Sequence, residues 1–419
     1  MRKNSNFKAI LSFMTAIVLF LSANVGVPVA HAEEKTVTKF KLDVNLKPDN
    51  FSDIPSDLSD KTVIVMTNDV HGAIDKYPYV ASLKKNLKNE RNASDVILVD
   101  CGDFSQDKKK DHIEDSLGVV DATKGTAAID AMNAAGYDLA TIGNHEFEVD
   151  DNKSKISNLT SNLNAGKFKT ICANIVEKKK ADALNDKKEV SAKDFENIKT
   201  YVDPNFIYDK KIGTDEKSAV KIGFFGLTSP DSKSFIKTNE YGIIKSKIKN
   251  GELTSDALYV CAQDQIDKLK KEDVDLVICL SHLGLEDEVE GSRSCDVYEN
   301  TNGIDLVLDA HSHTMINMGL NGDPILSAEM QIHNIGLVII DNSSKKIEKT
   351  MLIGRDGSEG YTENLSPDPE TLAVVQPLID KYGKKAVTET NEGTDKNAEK
   401  EKDNKNTHSG NKFKYGFGG

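Results

Sequence analysis

Tryptophan is absent, and aromatic residues make up only 6% of the 419-residue chain. Positive charge is also in short supply: 54 Lys and Arg stand against 67 Asp and Glu, a formal net charge of -13 at pH 7. There is no basic patch with interleaved aromatics, and an acidic surface repels phosphate backbones, so duplex nucleic acid is excluded as a partner. The same field opposes anionic substrates, unless bound cations reverse it locally. Beyond the N-terminal region no apolar run is long enough to span a bilayer. Five cysteines (Cys101, Cys172, Cys261, Cys279 and Cys295) form an odd count without paired spacing. Cys172 and Cys279 fall inside apolar runs, the setting of small buried hydrophobes, and the spacing selects no disulfide. None lies in the first hundred residues, which excludes a lipid-anchored cysteine there. Neither a Ser-His-Asp nucleophile elbow nor a GxxxxGK[ST] phosphate loop is present. No repeat of fixed period occurs.

The N-terminus reads as a secretory signal. Arg2, Lys3 and Lys8 supply its positive region, Ala9 to Ala23 is mostly apolar, and Ala30-His31-Ala32 fits the small-x-small cleavage pattern. An uncleaved anchor is the bland alternative, but the apolar stretch is short for a span. Cleavage after Ala32 removes three positive charges and no negative ones, taking the net charge from -13 to -16. The expected product is secreted or associated with the cell envelope, without a membrane span, and monomeric. The chain divides into a signal (1–32), an N-terminal extension (33–57), one large domain (58–356), a C-terminal helix (366–385) and a polar tail (386–419). The tail is built from Asn, Lys, Glu, Asp, Gly and Thr with almost no large apolar residue, a composition expected to stay disordered.

Within the large domain, short apolar runs alternate with helix-like stretches. The runs are Thr62–Met66, Asp95–Val99, Leu139–Ile142, Thr170–Ile175, Val220–Gly226, Val274–Leu280, Ile304–Leu308, Pro324–Ser327 and Ile335–Ile340. Several are rich in Val and Ile, as buried strands are. Helices are expected over Tyr79–Leu87, Gly125–Ala135 and Ser255–Lys271; in the second, Ala128, Ile129, Met132 and Ala135 share one face. This alternation predicts a layered α/β fold. Glu177 to Lys199, Asp107 to Asp111 and Glu286 to Glu288 are charged stretches read as solvated.

Five polar motifs each follow one of these runs: TNDVHG (67–72), CGDFSQ (101–106), GNHEFE (143–148), SHLG (281–284) and DAHSHT (309–314). They hold five of the nine histidines. The carboxyl ends of strands in such sheets face a common crevice, so these loops are expected to converge. Asp69, His71, Asp103, Asn144, His282, His311 and His313 offer carboxylates, an amide oxygen and imidazoles, the ligands of borderline divalent metals. Seven is too many for one ion and suits two sharing a carboxylate. Taken singly, each motif reads equally well as a turn or a cap. His112 is read as a surface residue and His333 as incidental, and Asp309 as either a support for His311 or a structural turn.

In this order, the five motifs resemble those of the calcineurin-like metallophosphoesterases, in particular the exported 5'-nucleotidase and 2',3'-cyclic-nucleotide phosphodiesterase branch. The likeness runs from about Thr62 to about Ile340. It includes the approach to GNHE from Lys124-Gly125 and the Ile222 to Thr228 strand. It implies a four-layer α/β/β/α sandwich with the metal site at strand carboxyl ends. It implies that Asp69, His71 and His313 bind one divalent ion, that Asn144, His282 and His311 bind a second, and that Asp103 bridges them. Some relatives carry Gln at the position of His313. The likeness makes His145 the catalytic histidine, with Glu148 in the place of an Asp that orients it. The implied reaction is hydrolysis of phosphomonoesters such as nucleotides by a metal-bridging hydroxide, with Mn, Zn, Fe or Co as candidate ions. Cyclic-nucleotide diester cleavage is the enzymatic alternative, and a weakly catalytic metal-containing binding protein is the other. By the same likeness, a base-binding C-terminal domain such as those nucleotidases carry is not expected within the residues after the 366–385 segment.

Overall fold

The computed structural model describes residues 46–105, 116–150, 156–211, 220–230, 239–285, 290–319 and 322–383. The first half runs β1 (Lys61–Thr67), α1 (Tyr77–Asn89), β2 (Asp95–Asp100), α2 (Val119–Ala122), α3 (Thr126–Ala135), β3 (Leu139–Thr141), α4 (Ser157–Ala165), β4 (Lys169–Ile171), β5 (Ile175–Glu177) and α5 (Lys178–Asn185). It continues with β6 (Asn205–Asp209), β7 (Lys221–Thr228), β8 (Tyr241–Ile243), β9 (Lys247–Lys249), β10 (Glu252–Ser255), α6 (Ala257–Lys271), β11 (Leu276–His282) and α7 (Ser294–Glu299). The last part is β12 (Leu306–Leu308), β13 (Met315–Asn317), β14 (Ile325–Ala328), β15 (Asn334–Asp341), β16 (Lys346–Gly354), α8 (Tyr361–Asn364) and α9 (Pro369–Tyr382).

Two six-stranded sheets form, in the orders β16-β15-β1-β2-β3-β4 and β13-β14-β12-β11-β7-β6. In the first, β1, β2, β3 and β4 are parallel, and β15 and β16 add antiparallel to β1. In the second, β7, β11, β12 and β14 are parallel, flanked by antiparallel β6 and β13. Parallel neighbours need crossover connections; helices supply them except between β12 and β14, where the chain passes through β13.

Period-two alternation sorts the side chains into layers. In β1, Val63 and Val65 pack outward with Val80, Leu83 and Leu87 of α1, while Ile64 and Met66 point inward. In β11, Val277 and Cys279 pack outward with Leu258 and Ile266 of α6, while Leu276, Ile278 and Leu280 point inward. The inward residues of both sheets share one core, so the architecture is helices, sheet, sheet, helices. Each large side chain buried there contributes about 1.5–3 kcal/mol relative to exposure. This is the mixed α/β fold expected from the sequence.

Some sequence readings change. Thr170–Ile175 is not one strand: β4 ends at Ile171, and β5 pairs instead with β8 in a separate two-stranded sheet. Between them the Cys172 amide donates to Asp203 and the Ala173 amide to Gly226, carrying the chain from one sheet towards the other. Asn174 completes the crossing by donating its side-chain amide to the carbonyls of Thr228 and Ile244. The packed body also begins before residue 58, since Phe51 and Ile54 are buried and the Asp49 amide bonds Leu352. It extends past residue 356, because α9 joins the core of α1 and α3 through Val375. The Asp368 carboxylate caps α9 by accepting the Thr371 amide at 3.0 Å. Part of the charged Glu177–Lys199 stretch is α5, whose Ala181 and Leu184 are buried. The signal, the polar tail, Asp107–Asp111, His112 and Glu286–Glu288 lie outside the described residues.

Candidate metal centre

The loops after β1, β2, β3, β11 and β12 meet at one end of the sandwich. Asp69, His71 and His313 bring ligand atoms within 4.8 Å of one another, and so do Asp103, His282 and His311. The Asp103 carboxylate reaches both groups: Oδ2 is 3.1 Å from His282 Nε2 and 3.7 Å from His71 Nε2. Asn144 Oδ1 lies 3.1 Å from His282 Nε2, which puts the amide oxygen beside the second group. His145 packs edge-on to His71, with ring centroids 5.3 Å apart. All seven candidate ligands and His145 are therefore drawn together.

The local backbone is unusual. Asp69 (φ 48°), His71 (φ 44°), Asp103 (φ 60°), His311 (φ 78°) and His313 (φ 52°) all occupy the left-handed region. Few non-glycine residues do so, and Asp, Asn and His are the enriched ones. The turns aim side chains that a regular strand end would splay apart.

The donor chemistry fits divalent cations. His282 Nδ1 donates to the Cys101 carbonyl at 2.7 Å, which leaves Nε2 as a lone pair facing the Asn144 and Asp103 oxygens. His71 Nε2 and His313 Nε2 face each other at 3.0 Å. Lone pairs converging on lone pairs call for positive charge between them. Without an ion, protons take that place. Burial lowers the His282 pKa, but the Asp103, Asp69 and Glu146 charges outweigh it and raise it to about 10. Desolvation wins at His71, pushing it down to about 4. Burial works against the Asp103 carboxylate, yet the His282 and His145 charges hold it well below the usual range.

His145 is half-buried, with 22% of its side chain exposed. Burial lowers its pKa, and the Asp103, Glu148 and Glu146 charges overcome that and raise it to about 9. Its Nδ1 lies 3.5 Å from Glu148 Oε1, inside ion-pair reach and outside hydrogen-bond geometry. Cys101 is not among the clustered donors; its thiol donates to the Leu308 carbonyl in the sandwich core. Asp309 Oδ1 accepts from the Ser294 hydroxyl and, at 3.3 Å, from the Gly284 amide, so it ties the β11 and β12 loops together. His333 pairs with Glu329 at 3.3 Å.

Three supporting residues escape a reading by motif. Asn68 donates to Asp69 Oδ2 at 2.7 Å and accepts the Ala328 amide, while the His311 amide also donates to the Asp69 carboxylate. Asp100 accepts from the Thr67 hydroxyl at 2.6 Å and the Gly102 amide at 2.8 Å. Glu146, fully buried inside GNHEFE, accepts three backbone amides from two loops. A buried acid beside a ligand motif is the signal that points to such residues, but spacing alone does not show which way they face.

Comparison with known proteins agrees with this geometry. The calcineurin-like phosphoesterase family model matches residues 62–315. The chain is 24% identical over 336 residues to the trifunctional nucleotide phosphoesterase protein YfkN of Bacillus subtilis (strain 168), covering 74% of this chain and 19% of that protein. It is 24% identical over 356 residues to a 2',3'-cyclic-nucleotide 2'-phosphodiesterase/3'-nucleotidase of Haemophilus influenzae, covering 75% of this chain and 49% of that one. The chain thus spans half or less of the length of these relatives. The crystal structure of the calcineurin-like phosphoesterase YfkN from Bacillus subtilis superposes with a TM-score of 0.53 at 21% identity, over 76% of this chain and 97% of that one, which establishes a shared fold. With more than half its length matched by the family model and five motif loops meeting at one end of the sandwich, the chain belongs to the calcineurin-like phosphoesterase family.

Proposed function

We propose that this chain is an exported, two-metal phosphohydrolase of the 5'-nucleotidase type, releasing phosphate from small phosphomonoesters, nucleotides among them. The observation that carries the reading is the pair of donor clusters sharing the Asp103 carboxylate. Asp69, His71 and His313 would hold one ion, Asn144, His282 and His311 a second, with Asp103 placed to serve both. Bound there, two divalent cations, with Mn, Zn, Fe and Co the candidates, neutralise phosphoryl charge and lower the pKa of water.

The chain's own residues do the rest. Asp103 Oδ1 accepts the His145 amide at 2.8 Å, so Oδ2 alone points between the clusters. His145 stands at the rim, and its cationic imidazole donates to a phosphoryl oxygen as negative charge builds. Glu148 keeps that imidazole charged and oriented. Phosphoryl transfer asks for this positioning and charge neutralisation rather than for a covalent nucleophile. The acidic surface disfavours polyanions and leaves small esters as the accessible substrates. Residues 1–32 act as a secretory signal, residues 58–356 carry the chemistry, and the product works as a monomer outside the cytoplasmic membrane.

Similarity to the named Haemophilus influenzae relative supports cyclic nucleotides as a second substrate class. The test is hydrolysis by the chain from Glu33 onward, after chelation and re-addition of Mn, Zn or Co, read as phosphate released from monoesters and as ring-opened nucleoside monophosphate formed from a cyclic diester. An aryl phosphate, AMP and a 2',3'-cyclic nucleotide are offered side by side. Metal-restored turnover of the monoesters is expected. Turnover of the cyclic diester alone moves the assignment to a diesterase. No turnover with metal bound overturns the enzyme reading and leaves a binding protein.

A further inference from the structure

Glu146 sits between the two loops that carry Asp103 and Asn144 and has no exposed surface. Its Oε2 accepts the Asp103 amide at 2.9 Å and the Gly143 amide at 2.6 Å, one from each loop. Its Oε1 accepts the Ser105 amide at 3.0 Å. The exchange is reciprocal, since Asp103 Oδ1 accepts the His145 amide from the same loop that supplies Glu146. Around this carboxylate the loops touch backbone to backbone. A Cβ on Gly102 would lie 2.6 Å from the Gly143 nitrogen, and one on Gly143 would lie 2.2 Å from Asp103 Oδ1. Nothing but glycine fits at either place without moving a ligand.

We infer that Glu146 is a positioning residue: its carboxylate clamps the Asp103 loop to the Gly143–Asn144–His145 loop and so fixes which Asp103 oxygen faces the two donor clusters. The inference rests on the reading of Asp103 and Asn144 as metal ligands. The chemistry is specific to a carboxylate. Three N–H groups point at two oxygens, so an amide in this place turns a donor against a donor. Loss of the clamp leaves the bond from the His145 amide to Oδ1 to hold Asp103 to the opposing loop without the tie at its own peptide, so its side chain gains freedom to rotate. Buried charged acceptors of several amides are among the stronger hydrogen-bonding arrangements, and removing one partner leaves the others unsatisfied.

The test uses the full chain with Glu146→Gln, and Glu146→Asp as a second variant that keeps charge and loses reach. In metal-free protein, hydrogen exchange at the amides of Asp103, Ser105 and Gly143 is expected to speed up at least about tenfold in both variants, with β1 and β11 unchanged. In the calorimetric titration with Mn, affinity is expected to fall roughly 10- to 100-fold, the range seen when supports of metal ligands are removed. The kcat is expected to fall more than KM changes. Wild-type exchange at the three amides in a folded variant overturns the clamp. So does loss of protection throughout the sheets in both variants, which makes Glu146 a folding residue instead. If the wild-type chain binds no Mn, the metal-ligand reading fails, while the exchange data still judge the clamp.

Discussion

The two sheets contribute different chemistry to the shared crevice. The first sends Asp69, Asp103 and Asn144, which carry the carboxylates and the amide, together with His71 and His145. The second sends only imidazoles: His282, His311 and His313. In the first group Asp69, His71 and Asp103 are buried and the loops are cross-tied, with Asn68 on Asp69 and Glu146 on the Asp103 loop. The second is graded. His282 is fully buried and bonded to Cys101, while His313 has a third of its side chain exposed. Anionic ligands set the charge of a site and tolerate little displacement. Neutral ligands at its edge tune affinity and can be exchanged. The first sheet is therefore expected to determine whether the site exists, and the second how tightly it holds its ions.

That contrast can be broken or sharpened by substitution. The largest effect is expected from Asp103→Asn, which removes the carboxylate that approaches both clusters most closely, 3.1 Å from His282 and 3.7 Å from His71; turnover falls on the order of a thousandfold or more, with metal stoichiometry below two by elemental analysis. Next is Gly143→Ala on the first sheet, whose new Cβ would meet Asp103 Oδ1 at 2.2 Å. A stability loss on the order of 1–3 kcal/mol by denaturant unfolding, with a drop in kcat, is expected from such overpacking. Glu148→Gln removes one of the negative charges that raise the His145 pKa. In the proposed role His145 works protonated and that form is lost as pH rises through its pKa, so the alkaline limb of the kcat profile is expected to move to lower pH. The smallest effect on turnover is expected from His313→Gln, since both side chains offer a neutral donor at the exposed edge; kcat/KM stays within about tenfold of the parent chain. A loss at His313 as large as at Asp103 would sink the division of labour.

Much of the site could be read before the fold was known, and the reasons are physical. Candidate metal ligands come from a small set of residue types, and strand carboxyl ends put them right after apolar runs, so Asp69, Asp103 and His282 stand out as candidates that the fold then brings into the same clusters. The strands were legible because β1, β2, β7, β11 and β15 are buried on both faces and read as continuous apolar runs, several of them rich in Val and Ile. What stayed hidden is what depends on partners distant in sequence. Edge strands β6 and β16 carry mixed residues, because one side of each faces solvent or another element. The break between β4 and β5 follows from Asn174, whose side chain bonds backbone more than fifty residues away. Glu146 looks like an interchangeable acid in GNHEFE, and only the approach of the Asp103 loop makes it the acceptor of three amides.

The left-handed backbone at Asp69, His71, Asp103, His311 and His313 carries a thermal consequence. Each such residue costs about 1–2 kcal/mol relative to an ordinary conformation. Five together approach the 5–15 kcal/mol by which a whole domain is stable. Glycine relieves that strain, and it also deletes the donor. Melting temperature and ion affinity are thereby set against each other at the same five positions. The chelated protein is a wound spring, and heating is expected to loosen it first where its ligands are.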